Sequence, residues 1–336
     1  MEHIKVGIIG MGRIGRLHLK NLSTKFHGVE VGAVMNPSQR GRDYAARYGV
    51  PNLSDNVDAM LDDPSIDVVL ICSPSASHAD YIIRAAERGK IIFCEKPIDM
   101  SLDRAKEVVA KIKEENAQMM VAFNRRFDPD FAKVQQAVSR GEIGTPLSLH
   151  IISRDPGPPS IDYLKESGGL FRDMAIHDFD MAQFIMGSKV NEVFATGGCL
   201  IDPEIGKIGD IDSSMVMLRF ENGAIAVIED SRKAVYGYDQ RLEIFGTEGM
   251  LQIRNPYKTN VYRAYEKGTR SDVNLNFFMD RYEVSYMKEM EDFIDAIRHQ
   301  RPLPIDGDQG IEAMVIAEAA YESLKANRPV KVEKFR

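Results

Sequence analysis

Residues 4–15 read Ile4-Lys5-Val6-Gly7-Ile8-Ile9-Gly10-Met11-Gly12-Arg13-Ile14-Gly15. A strand-length apolar run ends directly in GxGxxG, and the residues that follow take a helical pattern through Leu17, Leu19 and Leu22. Strand, glycine turn and helix in that order are what a dinucleotide pyrophosphate requires. The glycines permit a tight turn and close backbone approach, and the helix N-terminus offers free N–H groups to the phosphates. Alone the motif is weak; at the first strand-to-helix turn it predicts a cofactor site built from Gly10, Met11, Gly12, Arg13, Ile14 and Gly15.

Working outward, the second apolar run, Val29–Met35, ends where such a fold meets the adenosine ribose. The usual acidic residue is replaced by Asn36, followed by Arg40 and Arg42. An asparagine still hydrogen-bonds ribose hydroxyls but lacks the charge that repels a 2'-phosphate. Arg40 or Arg42 then either attracts such a phosphate or is only a solvated helix start. NAD is the expected cofactor and NADP stays open.

Helices around 41–48 and 55–61 precede the strand Asp67–Cys72, which ends in Ser73-Pro74-Ser75, with His78 opening the next helix as a helix-start or cofactor-contact residue. The strand Lys90–Cys94 delivers Glu95-Lys96-Pro97, and a helix over 101–115 and a strand over 119–123 bring Asn124-Arg125-Arg126. Ligands of open parallel sheets sit at the carboxyl ends of the strands. Ser73, Pro74, His78, Glu95, Lys96 and Asn124 therefore join the expected cofactor set. The alternation predicts an α/β fold: a doubly wound parallel sheet over residues 1–123.

From Pro146 the pattern becomes β-type, with turns at Glu221-Asn222-Gly223 and Gly246-Thr247-Glu248-Gly249. Residues 124–336 are expected to form an α+β domain with a large, mainly antiparallel sheet, open on one face to a subunit partner. Its last helices, near 281–299 and 310–326, can pack back on the first domain. Within it, the stretch 167–187 predicts a helix that starts after Gly168-Gly169 and stops at Gly187, apolar on nearly every side and therefore buried. On that helix Asp173, His177 and Asp180 fall at i, i+4 and i+7, along one stripe. Buried ionisable groups must be paired or used.

Composition narrows the classes. The 336 residues suit about two domains, and 44% are hydrophobic. The net charge of -7 comes from 43 basic and 50 acidic residues without long blocks of either sign. That leaves no footprint for nucleic acid or an anionic membrane, so the expected partners are small molecules and other subunits. Cys72, Cys94 and Cys199 lack disulfide or metal spacing, no ligand cluster suggests a metal, and no apolar run reaches membrane-spanning length. A soluble, cytoplasmic protein is expected.

Taken together, GMGRIG at 10–15, CEKP at 94–97, FNRRFD at 123–128, SRDPGPP at 153–159, SGGLFRDMAIHDFDMA at 167–182 and VYGYDQR at 235–241 resemble the Gfo/Idh/MocA family of NAD(P)-dependent sugar and polyol oxidoreductases. Within it the chain looks most like the inositol 2-dehydrogenases. The resemblance implies a Rossmann domain, a second domain with an open sheet, and homotetramers formed through that sheet. It also implies that Lys96, Asp173 and His177 are catalytic, that Pro97 is cis, and that Arg125, Asp155, Tyr238 and Tyr286 lie around the substrate ring. The implied reaction is oxidation of a secondary ring hydroxyl of a cyclitol, foremost myo-inositol to 2-keto-myo-inositol (scyllo-inosose), with His177 as general base. The alternatives are a related dehydrogenase of an aldose or modified sugar, and a non-catalytic NAD(P)- and sugar-sensing regulator. Asn36 is the departure from the family pattern, and it bears on cofactor choice.

Overall fold

The computed structural model describes residues 3–336. It divides into two compact units, one comprising residues up to Phe123 together with Tyr286–Ile311, the other Asn124–Ser285 with Glu312–Arg336.

The first unit is built on six parallel strands: β1 Ile4–Ile9, β2 Val29–Met35, β3 Asn52–Ser54, β4 Val68–Ile71, β5 Ile91–Glu95 and β6 Met119–Ala122. Their order in the sheet is β3-β2-β1-β4-β5-β6. Helices α1 Arg13–Lys25, α2 Gln39–Ala46, α3 Asp58–Leu61, α4 His78–Ala86 and α5 Leu102–Glu114 connect them. The parallel arrangement follows from composition, because strands buried on both faces read as continuous apolar runs. Every residue of β4 is buried. The direction of winding reverses between β1 and β4, so the crevice outside their carboxyl ends is the topological switch point where ligands bind in such sheets. The short edge strand β3 was not expected, since its three residues carry no alternation to read.

The second unit begins with α6 Pro129–Ser139, a helix that the sequence reading passed over although Asp128 caps it by accepting from the Asp130 and Phe131 N–H groups. Then come β7 Pro146–Arg154, α7 Ile161–Glu166, α8 Gly169–Asp173, α9 Ile176–Met186, β8 Val190–Gly198 and α10 Pro203–Lys207. Strands β9 Ser213–Phe220, β10 Ile225–Ser231, β11 Asp239–Gly246 and β12 Met250–Ile253 follow, then a hairpin of β13 Tyr262–Tyr265 and β14 Gly268–Ser271. The chain closes with α11 Phe278–Arg281, α12 Glu283–Arg298, α13 Gly307–Ala326 and β15 Val330–Lys331. The seven-stranded sheet has the order β12-β11-β7-β10-β9-β8-β15. It is antiparallel except for the β7–β10 pair. Alternation sorts its faces: Ser214, Val216, Leu218 and Phe220 point inward, while Met215, Met217 and Arg219 are exposed. Among the described residues, no helix is long and apolar enough to cross a membrane.

One expectation fails at the centre of this unit. The single buried helix anticipated after Gly169 is two short helices, α8 and α9, because the Met174 and Ala175 N–H groups both turn back to the Leu170 carbonyl, each at 3.0 Å. Asp173 ends the first helix and His177 lies in the first turn of the second. Asp180 does not continue their stripe: it is buried against Arg126, whose Nε donates to its Oδ2 at 2.9 Å.

Candidate functional site

At the carboxyl end of β1 the backbone itself makes the cradle. Gly10 sits at φ +96, and a Cβ there would lie 2.6 Å from the Cys72 carbonyl oxygen. A Cβ on Gly15 would lie 2.0 Å from the Gly10 carbonyl oxygen, whereas one on Gly12 would meet nothing within 4 Å. Two glycines thus let strand and helix close on each other, and the third faces open space. Helix α1 begins there with no side-chain cap, leaving its first N–H groups available to an anion. These features fit a pyrophosphate.

Asn36 is committed to this loop: its Oδ1 accepts from the Met11 N–H at 2.9 Å and its Nδ2 donates to the Ser38 carbonyl at 3.0 Å. Arg42 is likewise committed, donating to the Asn36 and Pro37 carbonyls at 2.6 and 3.0 Å. Arg40 is exposed. At the next strand ends, Ser73 pairs with Ser77 through their hydroxyls at 2.7 Å, and the Lys96–Pro97 peptide is cis. His78 is buried, with Nδ1 2.8 Å from the Pro97 carbonyl and Nε2 2.9 Å from the Ser73 carbonyl. Its ring therefore ties the turn after β4 to the turn after β5, the turn that carries Lys96. Glu95 meets the buried His18 ring at 3.3 Å. Burial pushes the Cys72 and Cys94 thiols well up, which makes both poor nucleophiles.

The second unit gathers a separate polar cluster. Asp173 accepts from the Tyr163 hydroxyl at 2.8 Å and from Arg232 Nη1 at 3.3 Å. Arg125 is buried and donates to Asp178 Oδ1 at 2.6 Å. Its guanidinium also stands 5.7 Å from the centre of the Tyr282 ring. The Asp230 carboxyl is pushed well up by burial and then by the Asp178 charge. Ser153 and Gln240 hydrogen-bond at 2.8 Å, and Tyr282 donates to Gln240 at 3.4 Å. Tyr238 packs edge-on against Tyr282 with ring centres 6.1 Å apart, and burial raises its phenol well above the ordinary range.

Asp155 belongs to the same cluster. Burial pushes its carboxyl up to about 6, the nearby Asp173 and Asp178 charges adding to the rise and Arg232 and Arg125 opposing it. Its backbone is anchored by hydrogen bonds to Ser231 and Ala234 on the segment that carries Arg232. The native state thus binds this proton more tightly than the unfolded chain does. The associated stability is fully present below pH about 4 and is lost as pH rises through about 6. Asp155→Asn removes that dependence: between pH about 4 and 7 the wild-type melting temperature will fall relative to the variant by on the order of 5 °C. Parallel thermal melts across that range read the difference.

Of the residues expected around a substrate, Arg125, Asp155, Asp173, His177 and Tyr238 fall in the second unit, while Lys96 and Tyr286 fall in the first. Sequence reasoning missed Tyr163, Arg232, Asp230, Gln240 and Tyr282. No spacing links them to Asp173 or Arg125, since strand register and loop path bring them there.

Residues 4–123 match the family model described as the oxidoreductase family with an NAD-binding Rossmann fold. Residues 131–252 match the GFO/IDH/MocA C-terminal domain. A Bacillus subtilis protein named as an uncharacterized oxidoreductase, YrbE, is 46% identical over 99% of this chain and 97% of its own length. The myo-inositol 2-dehydrogenase of Thermotoga maritima is 42% identical over 98% of this chain and 99% of that protein. The crystal structure of scyllo-inositol dehydrogenase from Lactobacillus casei with bound NAD(H) and scyllo-inositol aligns with a TM-score of 0.92 at 30% identity, covering 98% of this chain and 99% of that one.

Proposed function

The chain belongs to the Gfo/Idh/MocA family of oxidoreductases, and on that footing we propose that it is an NAD-dependent cyclitol dehydrogenase whose foremost substrate is myo-inositol, oxidised to scyllo-inosose. The observation that carries this reading is the cluster of Asp155, Asp173, Arg125 and Tyr238 in one unit of a chain whose other unit is a dinucleotide fold. Fixed carboxylates, a guanidinium and phenols suit a neutral ring that presents a hydroxyl on every carbon, because each such group can be hydrogen-bonded individually.

NAD, when bound, supplies the hydride acceptor, and the residues that would hold it are the Gly10–Gly15 turn, Asn36, Ser73, Pro74 and the turn of Glu95 and Lys96, with Asn124 following the last parallel strand. His177 takes the proton from the reacting hydroxyl, a task suited to imidazole at neutral pH. Asp173 orients that ring and stabilises its protonated form. Lys96 hydrogen-bonds the reacting oxygen and favours its developing negative charge. Arg125, Asp155, Tyr238 and Tyr286 read the remaining hydroxyls. NAD is proposed ahead of NADP because Asn36 and Arg42 are occupied by the protein's own backbone, which leaves the exposed Arg40 as the remaining cation of this loop toward a 2'-phosphate. Homo-oligomers, tetramers by family resemblance, would form through the outer sheet face, where Met215, Met217, Ile225 and Phe245 are exposed.

Initial rates with myo-, scyllo- and chiro-inositol and with glucose, each with both cofactors, test the proposal. The expected result is reduction of NAD with an inositol at a kcat/KM at least about 10-fold above that for glucose or for NADP, a gap of about 1.4 kcal/mol. Faster turnover of glucose would move the assignment to a sugar dehydrogenase. No reduction of either cofactor with any of these compounds would overturn it.

A further inference from the structure

Helix α8, which ends in Asp173, is only five residues long and is gripped at both ends. At its start Asp210 Oδ1 accepts from the Leu170 N–H at 3.0 Å. The Tyr321 hydroxyl donates to the Gly168 carbonyl at 2.8 Å and accepts from the Phe171 N–H at 3.2 Å. Gly169 stands at φ +81 with room for nothing larger, since a Cβ there would come within 2.4 Å of the Tyr321 hydroxyl. A single guanidinium spans the two ends. Arg232 Nη1 donates to Asp173 Oδ2 at 3.3 Å, and its Nη2 faces Asp210 Oδ2 at 3.9 Å.

The Arg232 side chain is 1% exposed. Among the described residues its Nε and Nη2, and Asp210 Oδ2, make no hydrogen bond. A buried guanidinium so incompletely hydrogen-bonded is a costly way to hold a fold together, because replacing a buried ion pair by packed apolar groups is often neutral or stabilising. Its placement between the carboxylate that starts α8 and the one that ends it gives the charge a local use. Asp155 feels both charges of the pair, and with them Arg125 and Asp178, while Arg172 on α8 itself turns away to Glu318 at 2.8 Å.

Resting on the reading that Asp173 and His177 handle the proton, we infer that Arg232 is a positioning residue, bridging Asp210 and Asp173 so that the Asp173 carboxylate is fixed in place and part of its charge is answered before it acts on His177. Two variants then act in opposite directions. Arg232→Gln removes the cation, strengthens the negative field at His177 and moves the acid limb of the kcat/KM profile to higher pH by about one unit. Asp210→Asn keeps an oxygen for the Leu170 N–H, leaves more of the Arg232 charge to Asp173, and moves that limb to lower pH.

The experiment is the pH profile of wild type, Arg232→Gln, Arg232→Lys and Asp210→Asn, together with NMR titration of the His177 ring in each, assigned by loss of its signal in His177→Gln. Opposite shifts for Arg232→Gln and Asp210→Asn, with Arg232→Lys restoring most of the wild-type profile and NAD affinity unchanged, are the expected outcome. Equal losses of kcat with unmoved limbs and titrations would reduce Arg232 to a structural residue and overturn the inference. The NMR titration needs no turnover, so a chain without dehydrogenase activity that still shows the opposite shifts would sink the proposed reaction alone. If Arg232→Gln does not fold, the Asp210→Asn titration decides, and an unmoved His177 there overturns the inference.

Discussion

His177→Ala will lower kcat by about 100- to 10,000-fold while NAD binding stays within a factor of about two. The size follows from the proposed role: without a positioned imidazole the hydroxyl proton has lost its designated acceptor, while the other polar groups can still hold the ring. The separation of effects follows from the structure. The glycine turn, Asn36 and the uncapped start of α1 all belong to the first unit, whereas His177 opens α9 in the second. The side chain is half-buried at a turn between two short helices, so its truncation opens no large cavity, and the melting temperature should hold. Steady-state rates with an inositol, beside a titration of NAD followed by protein fluorescence, give both readouts. Turnover near the wild-type value would remove His177 from the chemistry.

Gly15→Ala will weaken NAD binding by about 100-fold and destabilise the first unit by about 1–3 kcal/mol. The added methyl carbon would stand 2.0 Å from the Gly10 carbonyl oxygen and 3.0 Å from its carbon. Both atoms are backbone, and Gly10 cannot yield, since it is itself wedged at φ +96 against Cys72. Helix α1 must therefore retreat from β1, carrying its N–H groups away from the phosphates. Losing the equivalent of one such charge-assisted bond, worth about 1.5–3 kcal/mol, accounts for the loss of affinity. Gly12→Ala is the control: its methyl meets no protein atom within 4 Å, so it will leave the melting temperature unchanged. Calorimetric NAD titration with thermal melts separates the two. Wild-type affinity in Gly15→Ala would mean that the turn is not where the pyrophosphate lies.

The two halves of this chain were legible to different degrees. In the first, all the strands but β3 are mainly apolar runs, and Gly10, Gly12 and Gly15 lie in one local segment, so fold and cofactor cradle could be read together. The α8–α9 break was not legible. Leu170, Met174, Ile176 and Phe179 suit one long helix as well as two short ones, and the choice is made by Asp210, Tyr321 and Arg232, which hold the ends of α8 from distant parts of the chain. His78 shows the same limit, because its place at a helix start was clear but the two carbonyls that engage its ring were not.

Taken alone, the order of residues determined the class of fold, the glycine turn, the run of strands that makes an open sheet, and the presence of Lys96, Asp173 and His177 in recognisable motifs. Those are local matters, set by periodicity, turn chemistry and steric freedom over a few residues. Only the tertiary structure decided that Arg232 reaches Asp173 from 59 positions away, that Arg125 pairs with Asp178 across 53, and that burial pushes the Asp155 carboxyl up to about 6. The reason is physical: a charge's partner and its exposure to water depend on which strands lie side by side and what covers them, and no spacing along the chain encodes either.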